Sequence, residues 1–112
     1  MTTFDDVRSI AMTLPEAEEK LTWETDVTFR IRDKIFAIGS DGTDRISVKA
    51  SLDRQADLID FDPETFGKSA YVGRFGWVTV QLARVDRPML EELLRQAWRA
   101  TAPKKLRDLV PE

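Results

Sequence analysis

The sequence predicts an α+β fold. It is read as a single two-layer domain over residues 1–112, an antiparallel sheet with helices packed on one face, in the order α-β-β-β-α-β-β-α. Three observations predict it. An apolar stripe at helical spacing stands near each end of the chain: Phe4, Val7, Ile10, Ala11 and Leu14, then Leu90, Leu93, Leu94, Ala97 and Trp98. Between them, short runs alternate apolar and polar residues with the period of a half-buried strand. Three such runs precede a central polar helix and two follow it, the grouping of antiparallel strands rather than of β-α-β units. A chain of 112 residues buries about two-thirds of its unfolded surface, enough for an ordinary core.

Taken in order, Thr3 and Asp6 form a capping box with Asp in the place of Glu, and Pro15 ends the first helix. Glu16-Ala-Glu-Glu-Lys20 reads as a charged turn leading to Leu21 and Trp23, the latter a packing residue at the edge of the hairpin that follows. In that hairpin Asp33-Lys34 is the expected turn. Ile31 then lies across from Phe36 and Phe29 from Ile38, with all four on the core face and Arg30 and Arg32 on the other. Ser40-Asp-Gly-Thr-Asp44 is a stronger turn. The third strand points Ile46 and Val48 inward, and Arg45, Ser47 and Lys49 outward.

Ser51 caps the second helix, whose inner positions are expected at Leu52, Gln55, Ala56 and Ile59. Residues 68–75 and 77–82 are expected to pair as strands. Val78, Val80 and Leu82 face inward, and Trp77, Thr79 and Gln81 outward. Gly73 and Gly76 leave the register of Tyr71 and Arg74 open. Asp86 caps the last helix, with Pro88 in its first turn and Glu91, Arg95 and Arg99 stepping along its outer face.

Composition excludes several chemistries. With no histidine and no cysteine, the commonest general base, the commonest zinc ligand and the thiol nucleophile are all missing. There is no glycine-rich nucleotide loop and no nucleophile elbow. The chain is therefore read as non-enzymatic, without a cofactor or metal. The one metal-binding alternative is an acidic ridge of Asp5, Asp6, Glu16 and Glu19, residues better explained as solvated helix-end acids. No apolar run is long enough to span a membrane, and the N-terminus lacks the basic and apolar regions of a signal peptide. The expected setting is cytoplasmic.

Net charge is −3, yet its distribution is uneven. Residues 27–49 hold five basic and three acidic side chains, and residues 68–87 hold four and one. The strand segments thus total +5 against −8 elsewhere. Basic and aromatic residues interleave in Phe29-Arg-Ile-Arg-Asp-Lys-Ile-Phe36 and in Tyr71-Val-Gly-Arg-Phe-Gly-Trp77. Cations at alternate strand positions can track phosphates, and an exposed ring can stack on a base. Arg30, Arg32, Lys34, Lys49 and Arg74 are the candidate phosphate contacts, with Tyr71 or Trp77 stacking. The plainer alternative is a solvated outer face for the arginines and a helix or the C-terminal tail covering Trp77.

The chain resembles the MmcQ/YjbR family from about Val7 to about Lys105. The resemblance is carried by Arg8-Ser-Ile-Ala11 with Leu14-Pro15, Trp23, Phe29-Arg-Ile31, Lys34-Ile-Phe-Ala37, Ser47-Val-Lys49, Ala70-Tyr-Val-Gly73, Gly76-Trp-Val-Thr-Val80 and Ala102-Pro-Lys-Lys105. It implies a compact α+β fold similar to frataxin-like proteins, described as a double wing, and a DNA-binding role in bacteria. Lys34, Lys49, Tyr71 and Trp77 match recurrent family positions, whereas Arg30, Arg32 and Arg74 are added from charge and face. Ala97-Trp98 stands where the family often has Ser-Tyr, a change read as repacking. DNA is the expected partner. The alternative is a protein-interaction or small-anion-binding module with no nucleic-acid role.

Overall fold

The structure, a computed structural model, describes residues 1–22 and 25–111; Trp23, expected at the hairpin edge, lies outside them. Over these residues the chain forms α1 (Phe4–Ala11), β1 (Ala17–Thr22), β2 (Asp26–Ile31), β3 (Lys34–Gly39), β4 (Arg45–Val48), α2 (Leu52–Phe61), β5 (Phe66–Lys68), β6 (Val78–Gln81) and α3 (Arg87–Thr101). The six strands make one antiparallel sheet in the order β1-β2-β3-β4-β6-β5. The α+β class and the antiparallel sheet are as expected. The sheet has one strand more: most of the expected charged turn Glu16–Lys20, with Leu21 and Thr22, is the edge strand β1, paired with β2 from Ala17 opposite Ile31 to Thr22 opposite Asp26. Most of its residues are exposed, so no alternation marks it.

One face of the sheet is the core. Phe29, Ile31, Phe36, Ala37, Val78 and Val80 are wholly buried, together with Leu90, Leu94, Ala97 and Trp98 of α3 and Val7 and Ala11 of α1. The two terminal stripes account for this: α1 and α3 each turn a contiguous apolar face inward. In α1 the Asp6 carboxylate accepts the Thr3 N–H at 2.8 Å. In α3 the Asp86 carboxylate caps Met89 N–H at 2.9 Å. Trp98 donates its indole N–H to the Pro15 carbonyl at 2.9 Å, tying α3 to the end of the first helical turn region. Gly39 lets Phe4 close over the sheet, since a β-carbon there would sit 2.5 Å from the Phe4 ring.

Three local expectations are corrected. The β2–β3 turn is Arg32-Asp33, both with positive φ (52° and 67°), and not Asp33-Lys34. The register shifts between Phe29 and Arg30, which places Ala37 opposite Phe29 and Ile38 opposite Thr28. Ala37 is therefore in the core and Ile38 is half-buried on the other face. In α2 the buried residues are Gln55 and Leu58, while Leu52 and Ala56 are exposed. Gln55 turns inward because its amide donates to two loop carbonyls, Gly73 at 2.7 Å and Trp77 at 2.8 Å. On α3, Arg95 pairs with Glu92 and Glu91 with Arg87, in place of the expected Glu91-Arg95-Arg99 ladder.

Candidate nucleic-acid interface

The opposite face of the sheet carries Arg30, Ile38, Ser47, Thr79 and Gln81, all half-buried. A groove of about 780 Å3 runs along it, and none of the residues lining it belongs to α1, α2 or α3. Ser47 and Thr79 line the groove with hydroxyls 3.4 Å apart, and the buried Ser69 hydroxyl behind them lies 3.1 Å from both. β4 and β6 hold two of these hydroxyls because Ser47 pairs directly with Thr79, so the same pleat turns both outward. Arg45, Lys68 and Tyr71 stand along the groove.

Two carboxylates also line it. Glu64 is paired with Arg84 at 3.1 Å, and Asp26 accepts the Ser40 hydroxyl at 3.2 Å. Among the described residues Arg45 and Lys68 form no ion pair. Further along the same face, Arg30 donates to Thr28 at 2.9 Å and to Thr22 at 3.2 Å. These bonds lay the guanidinium flat over β1 and β2, with Thr28 fully buried beneath it.

The seven candidate residues do not form one patch. Arg30 lies on the open face and Tyr71 on the groove wall. Tyr71 is 96 % exposed and has a φ of 65°, in the left-handed region. Lys34 is exposed at the start of β3. Arg74 sits 4.8 Å above the Phe75 ring, itself 61 % exposed. Arg32 is already spent on a carboxylate: its Nε and Nη2 donate to Glu16 at 2.7 and 3.1 Å. That hydrogen-bonded contact holds the Glu16 carboxyl below its ordinary range and pushes the Arg32 guanidinium up. Lys49 departs from strand parity because β4 ends at Val48; it lines a separate cleft beside α2 and α3.

Trp77 is 9 % exposed and cannot serve as a stacking surface as placed. It precedes β6, so strand alternation does not govern it. The expected strand over residues 68–75 is mostly a loop with a 3₁₀ turn at Gly73–Phe75, anchored by Gln55. That loop delivers Tyr71 to the groove, and the end of β5 delivers Lys68. Arg45 could be assigned from its outward position, whereas Lys68, Ser69 and Phe75 were hidden by reading the loop as a strand.

The acids at the helix end are engaged with arginines. Arg8 contacts Glu19 at 2.8 Å, Asp41 at 2.9 Å and Asp5 at 3.4 Å, and Arg87 contacts Asp6 at 3.0 Å. Hydrogen bonds to Glu19 and Asp41 push the Arg8 pKa upward. No group of three or more carboxylates suited to a metal ion occurs among the described residues. No helix among them is long and apolar enough to cross a membrane.

The model of the YjbR family matches residues 12–100. The fold is similar to the crystal structure of Deinococcus radiodurans protein DR2400, a DUF419 domain. The TM-score is 0.83 and the identity 25%, over 98% of this chain and 88% of that one. The comparison with curated proteins finds no match.

Proposed function

The chain belongs to the YjbR family, and from that premise we propose that it is a non-catalytic DNA-binding protein whose binding surface is the open face of its sheet. One observation carries this reading: the groove on that face joins the Ser47 and Thr79 hydroxyls, two cations with no carboxylate partner among the described residues and a tyrosine held almost wholly in solvent. An aromatic ring beside cations on a sheet is a platform for a single strand: the bases stack and the phosphates meet the positive charges.

Tyr71 supports the reading further. A non-glycine residue at positive φ is strained. The turn that holds this φ is closed by the Gly73 N–H on the Ser69 carbonyl at 2.9 Å, and it leaves the ring in solvent, where it can stack. Arg30, Arg45, Lys68 and Arg74 would meet phosphates, with Lys34 at the hairpin tip. Arg32, neutralised by Glu16, and Trp77, buried, leave the proposed interface.

The test is fluorescence anisotropy with a labelled single-stranded oligonucleotide. Binding is expected to be weak and salt-dependent. Neutralising about four phosphates gives a slope of log K on log salt of about −3. Arg30→Glu with Arg45→Glu should abolish binding while the fold survives. Unchanged affinity in that double variant removes the interface, and binding of an acidic peptide in place of the oligonucleotide favours a protein-interaction role.

A further inference from the structure

A second concavity, on the helix side of the molecule, has a different chemistry. It lies between the end of β4, α2 and α3, with a volume of about 340 Å3, within the roughly 300–1,000 Å3 of small-ligand pockets. Among the described residues four cationic side chains line it, Lys49, Arg54, Arg99 and Arg107, and no carboxylate does. Five arginines outside the cleft, Arg8, Arg32, Arg84, Arg87 and Arg95, each form an ion pair with an acid. Among the described residues Lys49 and Arg54 form none.

The cleft wall is braced. Arg99 donates to the carbonyls of Arg107 at 2.7 Å and Val110 at 2.6 Å, which folds the C-terminal turn back onto α3. Arg107 in turn donates its Nε to the Ala102 carbonyl at 3.3 Å. Its guanidinium is thereby held at the cleft, with no carboxylate partner among the described residues. Val48, Leu58 and Leu93 supply an apolar floor. Lys49, Arg54 and Arg107 meet no carboxylate among the described residues; like charges so placed repel one another, and a bound anion relieves that repulsion. Arginine forks suit phosphate oxygens in particular.

We propose that this cleft binds a small phosphate-bearing molecule, with the phosphate on Lys49, Arg54 and Arg107 and an organic body on the apolar floor. The cleft shares no lining residue with the groove on the open sheet face. It therefore stands or falls separately from DNA binding there. The same phosphate chemistry occurs in a free phosphomonoester and at the end of a nucleic-acid strand.

The experiment titrates isotopically labelled protein with adenosine monophosphate, with adenosine, and with oligonucleotides bearing or lacking a 5′-phosphate. Amide shifts are followed by NMR. Adenosine monophosphate should shift the amides of Lys49, Arg54 and Arg107, and adenosine at the same concentration should not. Arg54→Glu should weaken that binding tenfold or more. A response only to the 5′-phosphorylated strand, on the same amides, keeps the phosphate site and assigns it to strand ends. Equal shifts with adenosine, a smaller loss in the variant, or no shift at these amides with any phosphorylated probe overturns the site. The comparison of nucleotide with nucleoside uses the unmodified protein, so it decides even if the variant folds poorly.

Discussion

Single residues carry both stability and the proposed function, and substitutions separate the two. Trp98 is wholly buried with its indole N–H bonded to Pro15, so Trp98→Ala should lower stability by about 3–5 kcal/mol in chemical denaturation. Gly76 has a φ of +99°, and a β-carbon there would lie 2.6 Å from the Ala50 carbonyl oxygen. Gly76→Ala should therefore cost more than about 1 kcal/mol, through strain and clash together. Tyr71 is the opposite case. Tyr71→Ala should leave the melting temperature nearly unchanged, because the ring is in solvent. It should weaken oligonucleotide binding by about 1–3 kcal/mol, the worth of one stacked base.

At the scale of elements, the loop between β5 and β6 depends on a single side chain of α2. Gln55 satisfies the carbonyls of Gly73 and Trp77 from a buried position. Gln55→Leu would remove one of two donors from each carbonyl, which keep the Gly76 and Ser69 N–H groups, so the loss of two hydrogen bonds should cost about 1–3 kcal/mol and loosen the presentation of Tyr71. The acid dependence of stability belongs at this scale too. Glu16 is held below its ordinary pKa mainly by Arg32, and Asp62 mainly by the Thr65 hydroxyl. Groups depressed in the folded state bind fewer protons there than in the unfolded chain. Their stabilisation is present above the ordinary carboxylate range and is lost as pH falls through the depressed values. Thr65→Val should thus flatten the acid limb of melting temperature measured from about pH 6 to about pH 2.

What the sequence made legible also sorts by element. α1 and α3 were readable because each keeps an unbroken apolar stripe and a strong cap. β4 and β6 were readable because Ile46, Val48, Val78 and Val80 alternate cleanly. β1 was not, since an edge strand with exposed Glu18, Glu19 and Lys20 has no burial pattern to betray it. The hairpin register failed because Arg32-Asp33 is an uncommon pair for a turn that needs positive φ at both positions. Glu16 meets Arg32 as its cross-strand neighbour just beyond the Ala17–Ile31 pair, a contact hidden once β1 is read as a turn. α2 misled because its key inward residue is a polar glutamine.

For the whole molecule, the uneven charge resolves into distinct surfaces. The helix-end acids are consumed by Arg8, Arg32 and Arg87, which removes much negative charge from play. The strand-borne cations divide between the open sheet face, with Arg30 and Arg45, and the α2–α3 cleft, with Lys49. The sequence could reveal the surplus of positive charge in strand segments but not this division, because it depends on where β4 stops and the chain turns away.

The most direct measurement maps amide shifts across the labelled protein during titration with an unphosphorylated single-stranded oligonucleotide at low salt. The account predicts shifts concentrated at Arg30, Arg45, Thr79 and Tyr71 that fade as salt rises. Saturating oligonucleotide that leaves those four amides in place would contradict it.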